Sequence, residues 1–246
     1  MTKLDLLGVT VENATMREAF ARLVRWLSRT DRTRSVYFVN AHTLNLASEH
    51  TAYRALLNQG DVVYGDGTGV RWAARIKGAG MRDNVNGSDL TPLLLERVVG
   101  RRLFLLGAAP EVNERAVEHC MRVYPQWKIA GSQHGFYERK DEERLVDRIR
   151  EARPDLLLVA FGNPLQESFI HRWRDRLGAR VAMGVGGLLD YFGGSNVRAP
   201  EIVRELGIEW MHILARQPHK AGRYLIGNPA FLCRAVADRL TNGPAL

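Results

Sequence analysis

One acidic residue of the sequence lies in a glycine-rich turn, where its carboxylate has room to do chemistry. Asp66 follows a short apolar segment and stands between Gly65 and Gly67, and Gly69 lies two residues further on. Because glycines let a ligand approach the backbone closely, a carboxylate held there suits a general base acting on a hydroxyl nucleophile. An Asx turn, or a cap for a helix from Val70 onward, is the competing structural role. The sequence leaves both roles open.

Two other glycine turns each follow an apolar segment and precede a helix. The segment 156–161 leads into Gly162, and the segment 102–106 leads into Gly107. In both cases a proline follows within three residues, and proline suits the first position of a helix because its φ is already fixed there. A helix N-terminus aims free backbone N–H groups and a positive dipole end beyond the strand. Both turns are therefore predicted to bind an anion such as a phosphate group.

Polar side chains beside these turns are further candidates for ligand contacts. Gln166 and Glu167 fall in the first turn of the helix after the second glycine turn, where they are expected to reach the same ligand. Exposure to solvent is the alternative for Gln166. Asn40 ends a predicted strand and suits either a hydrogen bond to a sugar or nucleotide, or a turn. Asp89 is predicted to cap a helix first, with Ser88 as the other candidate cap, and to contact a ligand second.

Several well-known site patterns are absent from the sequence. The histidines His42, His134 and His171 have no consistent metal-ligand spacing and are interpreted as surface or satisfied side chains. The glycines of 184–187, including Gly186 and Gly187, fail the dinucleotide pattern Gly-x-Gly-x-x-Gly. No Gly-Lys-Ser/Thr and no Gly-x-Ser-x-Gly occurs, which argues against a P-loop nucleotidase and an α/β-hydrolase. No Asp-x-Asp pair ends a strand to hold a divalent cation.

Strands and helices alternate along most of the chain. Strands are predicted at 4–11, 35–40, 61–64, 102–106, 128–132, 156–161 and 180–184. Helices are predicted from a capping box at Thr15 to about 27, and at 43–57, 70–77, 87–99, 111–123, 142–152 and after 164. The alternation predicts an α/β fold, with a Rossmann-like, mostly parallel sheet covered by helices on both faces.

In such a sheet, ligands bind beyond the carboxyl ends of the strands. Residues predicted to share that edge are Asn40, Asp66, Gly107, Gly162 and Gly186. The glycine-rich segment 78–86 shows no periodicity and is predicted to be a loop, with a mobile lid as its candidate role. The candidate chemistry is therefore expected along one edge of one sheet.

The character of the chain changes after Gly193 and Gly194. We predict an α/β domain that carries the candidate site at 1–195 and a basic appendage of short helices at 196–246. The appendage mixes basic with aromatic and aliphatic residues, which favours contact with an anionic membrane surface. Helices that pack back on the core with a solvated charged face are the alternative.

Composition restricts the class of partner and the compartment. The net charge of +8 and the pI near 9.9 favour an anionic partner. A nucleic acid is one such partner, but no recognised basic–aromatic recognition motif supports it. Cys120 and Cys233 have no metal-ligand spacing and are interpreted as reduced thiols of a cytoplasmic protein. No apolar run approaches the roughly 20 residues that span a bilayer, and the N-terminus does not resemble a secretory signal.

Eight motifs in register resemble the WecG/TagA/CpsF family of bacterial glycosyltransferases, and the resemblance covers most of the chain. They are the strand ending at Asn40, Asp-Gly-x-Gly at 66–69, Gly-Ser-Asp-Leu at 87–90, Leu-Leu-Gly at 105–107, Gly-x-Pro-x-Gln-Glu at 162–167, Val-Gly-Gly at 185–187 with Asp190, Arg-Ala-Pro at 198–200 and Glu-Trp at 209–210.

The resemblance implies an inverting transfer of a sugar, without a metal or other cofactor. The implied donor is a nucleoside diphosphate sugar, usually UDP-linked, and the implied acceptor is a polyprenyl-diphosphate-linked sugar of a cell-surface or extracellular polysaccharide. Asp66 maps to the family's proposed general base, and Asn40 and Gln166 map to its polar site residues. An enzyme peripheral to the cytoplasmic face of the inner membrane, which can self-associate into homo-oligomers, is also implied.

The chain departs from the family where cationic residues are common. His212 and Lys220 stand where arginine is usual, whereas Arg223 remains. Asn84 stands at another such position, with Arg82 nearby. Lysine does not replace arginine in bidentate binding of phosphate, so the identity of the donor and the source of the positive charge stay open. The alternatives are a GDP-mannose-dependent mannosyltransferase of exopolysaccharide assembly and a nucleotide-binding module without chemistry.

Overall fold

A computed structural model describes residues 2–196, 222 and 225–245 of the protein. Eight strands in these residues form one sheet. They are β1 (Thr2–Leu6), β2 (Val9–Asn13), β3 (Arg34–Val39), β4 (Val62–Gly65), β5 (Arg101–Gly107), β6 (Trp127–Gln133), β7 (Leu156–Ala160) and β8 (Val181–Gly184). Their order across the sheet is β1-β2-β4-β3-β8-β7-β5-β6.

The sheet is mostly parallel, as predicted. Only β1 runs antiparallel to its neighbour β2; every other neighbouring pair, from β2–β4 to β5–β6, is parallel. The carboxyl ends of seven strands therefore point to one edge of the sheet.

Helices cover both faces of the sheet. In chain order they are α1 (Met16–Leu27), α2 (Ala41–Glu49), α3 (Thr51–Asn58), α4 (Thr68–Ile76), α5 (Gly87–Arg97), α6 (Pro110–Val123), α7 (Glu142–Ala152), α8 (Leu165–Trp173), α9 (Leu188–Phe192) and α10 (Gly227–Asn242), with a 3₁₀ turn at Arg139–Asp141. Buried residues of α2, α3, α4, α7, α8 and α10 pack in one core, and those of α1, α5, α6 and α9 in the other. The Rossmann-like α/β architecture is confirmed.

Strand β7 shows why a continuous apolar run predicts a central strand. Its residues alternate between the two cores: Leu156 and Leu158 face one, and Leu157 and Val159 face the other. All five of its residues are buried. A strand covered on both faces needs apolar side chains at every position, in contrast to the alternation of a half-exposed strand.

Two predictions about the N-terminal half were wrong. The segment 4–11 was predicted as one edge strand, but it forms the β1–β2 hairpin, with Leu7 and Gly8 at positive φ of 56° and 77° in its turn. This two-residue turn lacks the Asn-Gly or Asp-Gly signature that would have revealed it. The segment 43–57 was predicted as one helix, but extended backbone at His50 separates α2 from α3.

The capping box of α1 is confirmed. The Glu18 N–H donates to Thr15 Oγ1 at 3.3 Å, and the Thr15 N–H donates to Glu18 Oε2 at 2.9 Å. The predicted cap of α5 was wrong: Asn86, not Ser88 or Asp89, occupies the N-cap. Both cysteines are free thiols, as predicted, with Cys120 buried and Cys233 exposed.

The last described helix packs on the α/β body. The α10 side chains Phe231 and Ala235 lie in the same core as residues of α2 and α4. Asn45 Nδ2 donates to the carbonyl of Gly227 at 2.7 Å, and Arg234 donates to Asn45 Oδ1 at 2.6 Å. Short helices were predicted here, whereas 227–242 form one helix of 16 residues. The division at 195/196 stays a prediction.

Candidate active site

The predicted site turns stand in a row along the carboxyl edge of the sheet. They follow β4, β3, β8, β7 and β5, which are neighbours in that order. Backbone hydrogen bonds continue the row beyond the strands, for example from Asp66 N–H to Val39 O at 2.8 Å and from Ala108 N–H to Ala160 O at 3.2 Å. At about 4.8 Å per strand interval, the turn of Asp66 lies roughly 14 Å from that of Gly162.

Asp66 is held between the end of β4 and the start of α4. The N-cap of α4 is Gly67, whose φ of +93° belongs to a region that other residues rarely adopt. The Gly67 N–H donates to Asn84 Oδ1 at 2.7 Å. This bond fixes the turn that carries the carboxylate. Gly69 has a packing role, since a Cβ there would lie 3.2 Å from the Ala41 side chain.

The loop 78–86, predicted as a candidate lid, is tied to the body beside this turn. Asn13 holds it twice, donating to Gly80 O at 2.9 Å and accepting from Arg82 N–H at 2.8 Å. The Met16 N–H donates to Asp83 at 3.0 Å. The Arg82 guanidinium pairs with both carboxylate oxygens of Glu18, at 2.7 and 2.9 Å. In this structure Arg82 therefore faces α1.

Two predicted polar residues, Asn40 and Asp89, lie at the starts of helices α2 and α5. The Asn40 Oδ1 atom accepts hydrogen bonds from Thr43 N–H at 3.1 Å and Thr43 Oγ1 at 3.2 Å, and so caps α2. Asp89 lies in the first turn of α5. Its N–H donates to Asn86 Oδ1 at 2.8 Å, and its Oδ2 accepts from Asn86 Nδ2 at 2.6 Å. The structural role that the sequence left open is thus observed for Asn40, whereas Asp89 is hydrogen-bonded to the cap residue Asn86 and does not itself cap α5.

The glycine turns after β5 and β7 require glycine. Gly107 has a φ of +122°, and a Cβ there would lie 2.5 Å from Ala160 O. Gly162 has a φ of +76°. The helices α6 and α8 begin just after these turns, with Pro110 as the first residue of α6. Pro164 was predicted to open α8 but occupies its N-cap. Both helix N-termini point to the carboxyl edge, as an anion site requires.

A cavity of ≈ 640 Å³ lies between these two helix N-termini, a volume typical of small-molecule sites. Its walls come from the turn after β5, the segment after β6, the turn after β7, α8 and α9. The lining residues are Ala108, Ala109, Gly135, Phe136, Tyr137, Arg139, Glu142, Ala160, Phe161, Leu165, Ser168, Phe169, Arg172 and Asp190. Two arginines and several aromatic rings thus surround one space.

Aromatic rings form one wall of the cavity, which the sequence analysis missed. The rings of Tyr137 and Phe161 lie 6.0 Å apart, and Phe161 meets Phe169 edge-to-face at 5.5 Å. Burial, and then the neighbouring Glu142 carboxylate, raise the pKa of Tyr137, so its hydroxyl stays protonated. Phe136 is exposed beside it. The Gly-Phe-Tyr sequence after β6 was the available signal.

Gln166 and Glu167 are buried and share a hydrogen bond, so the alternative of solvent exposure was wrong, whereas their contact with a ligand stays a prediction. Solvent exposure was the alternative for Gln166, but only 2% of it is exposed, and Glu167 is fully buried. The Gln166 Nε2 atom donates to Glu167 Oε1 at 2.7 Å, and its Oε1 accepts from Gly186 N–H at 2.9 Å. Neither residue lines the cavity. Gly187 is the N-cap of α9 on the same edge.

Comparison with known proteins identifies the family. The family model described as "Glycosyl transferase WecG/TagA/CpsF family" matches residues 4–244. The chain belongs to this glycosyltransferase family. Two relatives from Staphylococcus aureus are both named N-acetylglucosaminyldiphosphoundecaprenol N-acetyl-beta-D-mannosaminyltransferase. The one from strain MRSA252 is 35% identical over 214 residues, which cover 85% of this chain and 83% of the relative. The one from strain MW2 is 34% identical over 225 residues, covering 90% and 87%.

Family membership makes the protein a glycosyltransferase. His212, Lys220 and Arg223, the predicted cationic site residues, lie outside the described residues. In the ranges 2–196 and 225–245, no three His, Cys, Asp or Glu residues are grouped to hold a metal ion. Independence of metal stays a prediction. Among the same residues no helix has both the length and the apolar character needed to cross a membrane.

Proposed function

We propose that this glycosyltransferase moves a sugar from a nucleoside diphosphate donor to a polyprenyl-diphosphate-linked sugar, with inversion at the anomeric carbon. The observation that carries the proposal is the ≈ 640 Å³ cavity between the N-termini of α6 and α8. It opens on the same edge of the sheet as Asp66. A donor bound there with its diphosphate at the helix N-termini directs its sugar along that edge.

The cavity has the chemistry that a nucleoside diphosphate needs. The backbone N–H groups at the starts of α6 and α8, with the helix dipoles, favour a diphosphate, and Arg139 and Arg172 add positive charge that the lining carboxylates of Glu142 and Asp190 partly offset. Arg172 also pairs with Glu142 at 2.8 Å, which fixes its position. The rings of Tyr137 and Phe161 offer faces on which a base can stack. UDP is the proposed nucleotide.

Asp66 is proposed as the general base. Inversion in a single displacement requires one base that removes the proton of the acceptor hydroxyl as its oxygen attacks the anomeric carbon. The bond from that carbon to the donor phosphate breaks at the same time, and the nucleoside diphosphate leaves. The negative charge that develops on the leaving group is stabilised by the preorganised N–H groups of the helix N-termini. Metal independence is proposed on this basis.

The proposed acceptor follows from the names of the relatives. Both S. aureus proteins are named for transfer to N-acetylglucosaminyl diphosphoundecaprenol. We propose the same acceptor class here, in the synthesis of a cell-surface or extracellular polysaccharide. The proposed donor is UDP-linked N-acetylmannosamine, which carries the sugar that these relatives are named for transferring.

A donor panel tests the proposal. Purified full-length protein is given UDP- and GDP-sugars, with and without a detergent-solubilised N-acetylglucosaminyl diphosphoprenol and with and without chelator. We expect release of UDP that depends on the acceptor and persists in chelator. Turnover with GDP-mannose instead would move the donor assignment to mannose, and loss of turnover in chelator would refute metal independence.

Asp66→Asn tests the base assignment. The change removes the basic oxygen but keeps the shape of the side chain, so turnover is expected to fall by roughly 10²–10⁴-fold, in line with general-base contributions. Binding of UDP should stay within about twofold. Asp175→Asn is the matched control, because that carboxylate is 92% exposed and lies outside the row of turns. Unchanged turnover of Asp66→Asn would rule out the base role.

The protein is proposed to act as a peripheral enzyme on the cytoplasmic face of a membrane, because its acceptor is lipid-linked. Exposed apolar residues on α10 support this proposal: Val236 and Leu240 are exposed, and Ile226, just before the helix, is 72% exposed. At 100° per residue these positions fall within about 80° of one another. A truncation at 197 would not test this surface, because it would also remove Phe231 from the core.

Point substitutions test the membrane contact without disturbing the core. The variant Ile226→Ser/Leu240→Ser is expected to weaken binding to anionic liposomes several-fold, because each change removes an apolar side chain that would be buried in the lipid interface. Val99→Ser is the control, as this exposed residue precedes β5 far from α10. Flotation that is equal for all three proteins would show that α10 contributes nothing to membrane binding.

A further inference from the structure

A buried carboxylate that the proposed transfer does not use lies beside the active site. Glu167 is fully buried, and its Oε1 atom accepts hydrogen bonds from Gln166 Nε2 and Asn163 Nδ2, both at 2.7 Å. Its Oε2 atom accepts from the Tyr53 hydroxyl at 3.0 Å. Burial raises the pKa of Glu167, opposed by these donors. Burying a carboxylate is unfavourable unless it is hydrogen-bonded, and here three side chains converge on it.

The three donors belong to different parts of the fold. Tyr53 lies on α3, Asn163 lies in the glycine turn after β7, and Gln166 lies in the first turn of α8. Burial raises the pKa of Tyr53, and the Glu167 carboxylate raises it further, so the hydroxyl keeps its proton and acts as the donor. The carboxylate therefore fixes the turn after β7 and the start of α8 to a helix distant in sequence.

Gln166 extends the connection to the next turn of the row. Its Oε1 atom accepts from Gly186 N–H at 2.9 Å, while its Nε2 atom donates to Glu167. Its side chain also packs so closely on Gly184 that a Cβ there would lie 3.0 Å from Nε2. Glu167 determines this orientation, because a flipped amide would place oxygen against carboxylate and nitrogen against an N–H donor.

We propose that Glu167 is a positioning residue for the donor site. By orienting Gln166 and Asn163 it holds the turns at 162–164 and 184–187 at a fixed separation. These turns carry the start of α8 and the approach to α9, which border the cavity assigned to the donor. Glu167 itself touches no substrate. The inference rests on the proposed function, since it concerns the site at which the nucleotide is proposed to bind.

Two substitutions at this position separate hydrogen bonding from charge. Glu167→Leu leaves the buried donors of Tyr53 and Gln166 and the half-buried donor of Asn163 without this acceptor, so Gln166 and Asn163 are no longer oriented. Glu167→Gln keeps a carbonyl oxygen for the two amides, and its amide can donate to the Tyr53 hydroxyl oxygen. We expect Glu167→Leu to raise the donor KM and the Kd of UDP at least tenfold, while the acceptor KM stays within twofold. Glu167→Gln is expected to stay within threefold of wild type in all three constants.

A purely structural role predicts a different pattern, which a control variant defines. Thr33→Val removes another buried hydrogen bond, the one from Thr33 Oγ1 to Ala179 O at 2.6 Å, just before β3 and β8 at the opposite end of the sheet. It is expected to lower the Tm and to leave donor KM unchanged. A purely structural effect at Glu167 would likewise reduce the folded fraction and leave the donor KM and the Kd of UDP unchanged. The folded fraction is measured by circular dichroism and by the stoichiometry of UDP binding.

Failure of Glu167→Leu to fold does not end the test. Glu167→Asp keeps the charge but shortens the side chain by one methylene, so its carboxylate cannot reach all three donors. The proposal is supported if the donor KM rises at least threefold in Glu167→Asp and stays near the wild-type value in Glu167→Gln. Unchanged donor KM in a folded Glu167→Leu, or in both conservative variants, overturns it. Wild-type protein that binds neither UDP nor GDP overturns the proposed function itself, and this inference with it.

Discussion

The ion pair between Lys77 and Asp238 makes a strong prediction about stability. Lys77, the residue after α4, is 1% exposed, and Asp238 on α10 is 8% exposed. The Lys77 ammonium donates to Asp238 Oδ2 in a short contact and to Asp5 Oδ1 at 3.2 Å. Burial raises the pKa of Asp238, but the hydrogen bonds from Lys77 and Asn242 and the charge of Lys77 outweigh it, and the net pKa is lowered.

Lys77→Met removes the charge and keeps the length of the side chain. Loss of one partner of a buried pair costs about 3–5 kcal/mol. Asp238 keeps hydrogen bonds from Leu7 N–H at 3.2 Å and Asn242 Nδ2 at 2.7 Å, so the lower end, about 3 kcal/mol, is expected. In a protein of this size that corresponds to a fall in Tm of roughly 6–12 °C. Thermal unfolding followed by circular dichroism measures it.

The pH dependence of this loss has a defined sign. A lowered carboxylate pKa stabilises the folded state above the pKa of the unfolded chain, and that stabilisation is lost as the pH falls through the folded pKa. In Lys77→Met the buried Asp238 carboxylate has lost the Lys77 cation, so protonation relieves the uncompensated charge. The difference in Tm between wild type and variant should therefore shrink below about pH 4.

Two comparisons decide whether the reasoning holds. Adding Asp238→Asn to Lys77→Met should recover at least about 1 kcal/mol, because the unpaired charge is gone. Lys140→Met removes an exposed pair with Glu138, whose two side chains are 74% and 71% exposed, and should change stability by less than about 1 kcal/mol. If Lys77→Met unfolds within about 2 °C of wild type at neutral pH, the pair does not hold α10 to the body and the argument is refuted.

Three further predictions follow from the described geometry. Gly107→Ala should abolish nucleotide binding or folding, because a Cβ would lie 2.5 Å from Ala160 O at a φ of +122°; a variant with wild-type UDP affinity would contradict the assigned turn. A thiol reagent should modify only one cysteine quickly in native protein, since Cys233 is exposed whereas burial raises the pKa of Cys120 to about 12; two fast thiols would contradict this. Tyr137→Ala should raise the Kd of UDP about tenfold, because loss of one stacked ring costs about 1–3 kcal/mol. A Kd that calorimetry finds unchanged would show that the uracil ring does not stack on Tyr137.

The parts of the fold that depend on local pattern were predictable from the sequence. The apolar run at 156–161 predicts a strand that is buried on both faces, and the glycine turn after it predicts the start of a helix. Both signals lie in neighbouring residues of the sequence. The same is true of the turn around Asp66. The β1–β2 hairpin was not predicted, because Leu7 adopts positive φ without a residue type that favours it.

The parts of the site that depend on distant residues were not predictable. The contact of Gln166 with a ligand stays a prediction, but the hydrogen bonds of its amide to Glu167 and Gly186 were not foreseen. The Glu167 carboxylate in turn depends on Tyr53, 114 residues earlier in the chain. No spacing in the sequence reveals such a contact. A polar residue beside a glycine turn looks the same whether it faces a substrate or a neighbouring turn.

The attachment of α10 also has a consequence for synthesis of the chain. Lys77 and Asp238 are 161 residues apart in sequence, which at ribosomal speeds separates their appearance by roughly 8–32 s. During that interval the ammonium of Lys77 has no access to its main partner and must stay hydrated. The α4 region beside the hairpin therefore closes only after α10 has left the ribosome. During this time the nascent chain leaves uncovered the surface of α4 that α10 later covers, and we expect a chaperone to bind there.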